Sequence, residues 1–366
     1  MEFGKILGLT NWKLLLVPSK GEMLMNNESN ARTSRQFGSI GIGIPPFAVA
    51  DGMNEKGLTI ATQSLYRSEY QKCDIWNKTY KTIWAANLPQ WILSQFSTVA
   101  EVESAIRSKK FCITSPLPKQ TNTHWAIADK QGGSIVLEYE DGEPRIYDNY
   151  VGLMTNDPFY PWHVQNLNTY VWILPEEGDN KKLRMDTGEL LSNQGEVPFN
   201  FGHGFNTGGM PGDPSPPSRF VRMFFNRQIS QANSPPKKNL DDWLTLAQGI
   251  LNGIFITKGF TGPNTLGHLI ESDHTSWATL RVPEVGFYAY RSYGNMQWHV
   301  VDTRQLDWSQ GKVLPTSQSI ADGFKNITDE LPTVDSASGH FLAVKSVKSH
   351  SSPEDVALLQ TLSQEL

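Results

Sequence analysis

Little in this sequence points to nucleic acid, to a membrane or to a cysteine-stapled scaffold. No basic stripe is present and the net charge is −5, so the electrostatic footprint of a nucleic-acid binder is missing. No apolar run approaches the roughly 18 residues that a membrane span needs. No charged leader followed by an apolar stretch opens the chain, so no signal peptide is read there. The 366 residues hold only two cysteines, Cys73 and Cys112, and neither has metal-ligand spacing around it. They read as two free thiols, with a single disulfide as the weaker alternative, and neither sits in a recognisable catalytic setting. A Gly-rich phosphate loop, a His-Glu-x-x-His helix and a Gly-x-Ser-x-Gly elbow are all absent. His268 and His274 flank Glu271 and Asp273, but without ligand spacing such a cluster reads as a solvated loop.

What is present is a folded chain's composition, 39% hydrophobic and 19% charged. Its length permits one large domain or two ordinary ones. The 30 Gly and 22 Pro supply the many turns of a strand-rich fold, and the 11 Trp and 17 Phe supply a core or an apolar pocket.

Periodicity gives the elements. Trp12 to Val17 is a short apolar strand stopped by Pro18. Gly38 to Ile44 suits a closely packed strand, Asp51-Gly52 a turn, and Gly57 to Ala61 a further strand. Trp84, Leu88, Trp91, Ile92 and Phe96 recur at helical spacing, with Pro89 as a start or kink. Thr98 and Glu101 form a capping box for a helix with Val99, Val102 and Ile106 on one face. Trp125 to Ala128 and Ser134 to Tyr139 flank the turn Lys130 to Gly133, and Asp141-Gly142 turns the chain into Arg145 to Tyr147. Helices are expected near Ser218, with Phe220, Phe224 and Phe225, and from Asp241, with Trp243, Leu244, Ala247 and Leu251. Phe287 to Arg291 and Trp298 to Val301 flank Gly294-Asn295 as a hairpin. A polar tail ends in a helix that Ser352 caps, with Val356, Leu359 and Leu362 as its stripe. Strands in runs, with helices grouped between them, indicate α+β layering.

Several segments follow one another in a distinctive order. They are Asp51-Gly52-Met53-Asn54-Glu55-Lys56-Gly57-Leu58, Thr123 to Asp129, Ile135 to Tyr139, and Met154-Thr155-Asn156-Asp157-Pro158. Pro211-Gly212-Asp213 then runs into Ser218 to Arg222, and Thr275-Ser276-Trp277 precedes the last hairpin. In this order they resemble the choloylglycine hydrolase family, which includes bile salt hydrolases and penicillin V acylases. The resemblance runs from Met1 to about Asp302. It implies a four-layer αββα sandwich of the N-terminal-nucleophile type over residues 1–314, followed by a polar extension over 315–366.

The resemblance also implies a chemistry. An N-terminal cysteine attacks an amide carbonyl, and its own α-amino group, with a pKa near about 8, serves as base. Fixed donors meet the oxyanion, and no metal or organic cofactor is needed. Asn156 matches an oxyanion-hole asparagine; from spacing alone it would cap a turn before Pro158. Arg219 matches an arginine beside the nucleophile; alone it would be a surface residue in a helix's first turn. Arg222, on the same face, reads as a structural ion-pair former. Gln63, Ser64 or Tyr66 would complete the oxyanion hole. His124, Trp125 and Trp277 read as core residues. Phe159, Tyr160 and Trp162 line an acyl pocket or simply pack.

Met1-Glu2-Phe3 matches the end of the family's Arg-x-Met-Asp-aromatic segment, which places Glu2 where an acid orients the nucleophile's amino group. The catalytic cysteine and arginine would then lie upstream. Either the chain starts at an internal methionine of a longer protein, which the retained site pattern favours, or it is a pseudoenzyme that binds acylated amines without cleaving them. The expected substrates are small N-acyl amides: conjugated bile salts, penicillin V or N-acyl homoserine lactones. A homotetramer is common in the family, and the missing upstream residues would decide between periplasm and cytoplasm.

Overall fold

The computed structural model describes residues 12–26, 28–44, 49–174, 204–234, 239–261, 263–264 and 271–315. Glu2, His268 and the tail helix expected after Ser352 lie outside them. In chain order the elements that build the core are β1 (Lys13–Val17), β2 (Glu22–Asn26), β3 (Ala31–Ser34), β4 (Ser39–Gly43), β5 (Val49–Asn54) and β6 (Thr59–Ser64). There follow β7 (Lys81–Trp84), α1 (Leu88–Gln95), α2 (Val99–Arg107), β8 (Phe111–Thr114), β9 (Thr123–Ala128), β10 (Ser134–Glu140) and β11 (Glu143–Asp148). The second half supplies α3 (Tyr160–Asn166), α4 (Pro216–Asn233), α5 (Leu240–Asn252), β12 (Trp277–Val282), β13 (Phe287–Ser292), β14 (Asn295–Asp302) and β15 (Lys312–Pro315).

Eight strands form one antiparallel sheet in the order β11-β10-β9-β6-β5-β4-β1-β15, and β12-β13-β14 form a second. The period of two decides what each face meets. On one face Leu15, Ile60, Trp125, Ile127 and Leu137 pack against Leu88, Trp91 and Ile92 of α1 and Val102 and Ile106 of α2. On the other, Leu14, Leu16, Ile40, Ile42 and Met53 meet Tyr288 and Tyr290 of β13. Helix α5 lies against the far side of β12 and touches α4. The result is an α+β, four-layer αββα sandwich. Phe220 of α4 packs with Val136, Val151, Leu153 and Tyr160 in a third cluster. No helix among the described residues is long and apolar enough to cross a membrane.

The capping box of α2 is present: the Glu101 N–H donates to Thr98 Oγ1 at 3.3 Å, and Glu101 Oε2 accepts from the Thr98 N–H at 3.2 Å. Three local expectations change. Asp51-Gly52 is not a turn but the middle of β5. Gly52 stands opposite Gly41, and a Cβ there would come within 3.0 Å of the Gly41 Cα, so glycine serves close strand approach. The turn comes later, at Gly57 with φ 91°. Asn54 organises it, accepting from the N–H groups of Lys56 and Leu58 and donating to Leu93 O and Phe96 O at the end of α1. Second, Trp84 ends strand β7, and the helix starts only at Leu88, with Pro89 in its first turn.

Third, Cys73 and Cys112 are not free thiols but one disulfide, with Cα atoms 5.9 Å apart. Gln71 explains the pairing. Its N–H donates to Ile113 O at 3.0 Å and its side-chain oxygen accepts from the Ile113 N–H at 2.8 Å, which lays this loop along β8. No local motif announces a contact across 39 residues.

Candidate active site

A cavity of about 980 Å³ opens where Asp51 of β5, the end of β6, the first turn of α4 and strand β12 converge. Asn156 and Arg219 both line it. Asn156 sits in the loop after β11 and is held on three sides. Its carbonyl oxygen accepts from His163 Nε2 at 2.9 Å, its side-chain Nδ2 donates to Ser64 O at 2.9 Å, and its Oδ1 accepts from Arg219 Nη2 at 2.7 Å. With Oδ1 facing a guanidinium, the amide can have only one orientation, and Nδ2 retains a second proton beyond the bond to Ser64. Next to it, Asp157 accepts from the N–H groups of Tyr66 and Arg67, which binds the loop to the segment after β6.

Arg219 projects from the first turn of α4. Its Nε donates to Pro214 O at 2.9 Å, so the guanidinium fork is oriented before it reaches Asn156. Burial lowers its pKa, and the Asp273 carboxylate offsets part of that. Asp213 shapes the entry to the helix: its carboxyl is pulled down to about 2 by the Ser215 and Ser218 hydroxyls and the Ser215 N–H.

On β5, Asp51 faces across to the second sheet. Its Oδ2 accepts from Trp277 Nε1 at 3.1 Å and Thr279 Oγ1 at 2.9 Å, and its Oδ1 lies 2.7 Å from Arg281 Nη1. The same Nη1 is also bonded to Gly52 O and Ile60 O. The 2.7 Å separation makes the two side chains an ion pair. This cluster pins the two sheets together at the floor of the cavity.

Behind Asn156 lies a buried histidine pair. His163 stacks on Phe220, and burial pushes its imidazole below the ordinary value, partly offset by the bond to Asn156. A carbonyl only accepts, so Nε2 carries the proton and Nδ1, buried and without a partner among the described residues, does not. His124 Nδ1 lies 2.7 Å from Glu138 Oε1, and Glu138, wholly buried, also accepts the Tyr160 N–H at the start of α3.

A model of the linear amide C–N hydrolases, choloylglycine hydrolase family, matches residues 2–314. The chain belongs to the choloylglycine hydrolase family. It is 30% identical to a bile salt hydrolase/transferase of Clostridium perfringens over 85% of this chain and 91% of that one. A solved structure of a mutant of the conjugated bile acid hydrolase from Clostridium perfringens superimposes with a TM-score of 0.68 at 29% identity, over 85% of this chain and 90% of that one. Penicillin V acylase from Agrobacterium tumefaciens shares the fold, with a TM-score of 0.63 at 20% identity over 83% of each chain.

Within this family member, the structure brings together Asn156, Arg219, Gln63, Ser64 and Tyr66 around one cavity. It leaves Phe159, Tyr160 and Trp162 off the lining: Tyr160 packs in the core and Trp162 is exposed. The aromatic walls are instead Tyr66, Phe255, Phe260 and Trp277. Trp277 is half-buried, packing against the core around Tyr288 and Tyr290 while also lining the cavity, whereas Trp125 is fully buried. Arg222 donates to the carbonyls of Pro211, Asp213 and Gly253 rather than to a carboxylate. The roles of Asp51 and Arg281 escaped the sequence reading because their partners are distant in the chain, and those of His163 and Glu138 because no motif marks their bonds to Asn156 and His124.

Proposed function

We propose that the protein hydrolyses the linear amide C–N bond of small N-acyl compounds, with a cysteine thiol upstream of Met1 as nucleophile. The observation that carries this is the clamped amide of Asn156, whose remaining Nδ2 proton is available in the cavity for an oxyanion. The thiol adds to the carbonyl carbon as its proton passes to the α-amino group. The tetrahedral oxyanion collapses to a thioester, and the amine leaves with that proton. Water then adds to the thioester and releases the carboxylic acid and the thiol.

In this reading Arg219 holds Asn156 in register and lends positive charge to the developing oxyanion. Glu2 orients the nucleophile's amino group. Ser64 is the favoured second member of the oxyanion hole, since its main chain already touches Asn156. Apolar acyl groups fit the walls of Tyr66, Phe255, Phe260 and Trp277.

Mass spectrometry of the intact protein tests this. A form extended upstream to its first in-frame cysteine, quenched during turnover of penicillin V, should carry a phenoxyacetyl group on that cysteine. Turnover without any thiol adduct, or an adduct on another residue, would remove the mechanism.

A further inference from the structure

The cavity holds an arginine whose charge nothing among the described residues answers. Arg291, in the middle strand of the small sheet, lines the cavity and is only 6% exposed. Its Nη2 donates to Asn252 Oδ1 at 2.6 Å, and its guanidinium lies 4.8 Å from the centroid of the Trp298 ring. Its Nε is buried without a partner. No carboxylate among the described residues comes within ion-pair distance of it. The other cavity arginines differ: Arg281 is paired with Asp51, and Arg219 is bonded to Asn156 and Pro214 and sits in the field of Asp273.

A buried guanidinium without a counter-charge is unfavourable unless a ligand supplies one. A planar fork with open donors is matched by a carboxylate or a sulfonate. Because Arg291 shares one cavity with Asn156, that anion would belong to the same molecule whose amide is cleaved. We propose that Arg291 is a specificity residue that receives an anionic group of the substrate, so that the protein selects N-acyl amides bearing a carboxylate or sulfonate over neutral ones such as N-acyl lactones. This rests on the amide-binding reading of the cavity. It goes further by dividing the candidate substrates: penicillin V and conjugated bile salts carry such an anion, and homoserine lactones do not. A site built around a charged partner rejects the analogue that lacks it, because the buried donor is then left unpaired.

The test is calorimetric binding of N-(phenoxyacetyl)glycine and N-(phenoxyacetyl)glycinamide, which share an acyl group and differ in charge. The protein should bind the acid about 10- to 100-fold more tightly than the amide, the range expected for hydrogen bonds to a charged group. Arg291→Gln should bring the ratio to within about 2-fold, less than about a third of the energy of one such bond. Asn252→Asp, which sets an internal carboxylate against Nη2, should also abolish the preference while keeping the arginine. Equal affinities in the unaltered protein, or a preference that survives both substitutions, would overturn the assignment and leave amide binding intact. Binding of neither compound would instead remove the amide-binding reading, and the assignment with it.

Discussion

Arg219 Nη2 and Asn156 Oδ1 are 2.7 Å apart although 63 residues separate them in the chain. This bond joins the first turn of α4 to the loop after β11, and it decides which way the Asn156 amide faces. Replacing Arg219 with Lys keeps the charge but loses the fork that serves Pro214 and Asn156 together. On the proposed mechanism, in a form extended upstream to its first in-frame cysteine, kcat for penicillin V should fall by about 100- to 1,000-fold, the cost of losing one oxyanion donor. Stopped assays on the two proteins check this.

His163 fixes the same loop from behind. Its pKa is lowered in the folded protein, so the unfolded chain binds the proton more readily. Its contribution to stability is therefore complete above the ordinary value of 6.5 and is lost as pH falls below it, until the lowered folded pKa is passed. His163→Gln keeps a donor for the Asn156 carbonyl and removes the titration. Its melting temperature should depend less on pH than that of the unaltered protein across this interval. Calorimetric scans over a pH series measure both slopes.

Asp51 and Arg281 form an ion pair in which the two side chains are only 12% and 17% exposed. Asp51→Ala leaves a buried guanidinium and two donors, Trp277 and Thr279, without their acceptor. The loss should be about 3–5 kcal/mol in denaturant unfolding, as for other broken buried pairs. Replacing an exposed pair such as Lys119–Glu69 should leave the unfolding midpoint almost unchanged, because solvent screens it.

The disulfide closes a loop across 39 residues, and in the chain-entropy account this contributes about 3–4 kcal/mol. A Cys73→Ser, Cys112→Ser double variant should unfold at a correspondingly lower denaturant concentration. Thiol titration of the unreduced form beginning at Met1 should find no free sulfhydryl.

Much of this architecture was legible because it is written locally. The Thr98–Glu101 box and the alternation in β9 and β10 each need only neighbours in sequence. Asn156 and Arg219 were reachable through the order of short segments. Asp51 was not, since it is explained by Trp277, Thr279 and Arg281, some 226 to 228 residues away for the first two. The Cys73–Cys112 bond and the Arg291 guanidinium without a carboxylate belong to the same class: contacts between layers, or their absence, set by tertiary packing. Gly52 shows the reverse error, a local turn signal overruled by a strand that needs room.

The most direct test of the account compares hydrolysis of penicillin V and a glycine-conjugated bile salt by two forms of the protein, one beginning at Met1 and one extended upstream to the first in-frame cysteine. The account predicts that only the extended form releases the free acid from at least one substrate. Cleavage by the form beginning at Met1 would contradict it, because both of that chain's cysteines are bound to each other and Asn156 and Arg219 would be serving some other nucleophile.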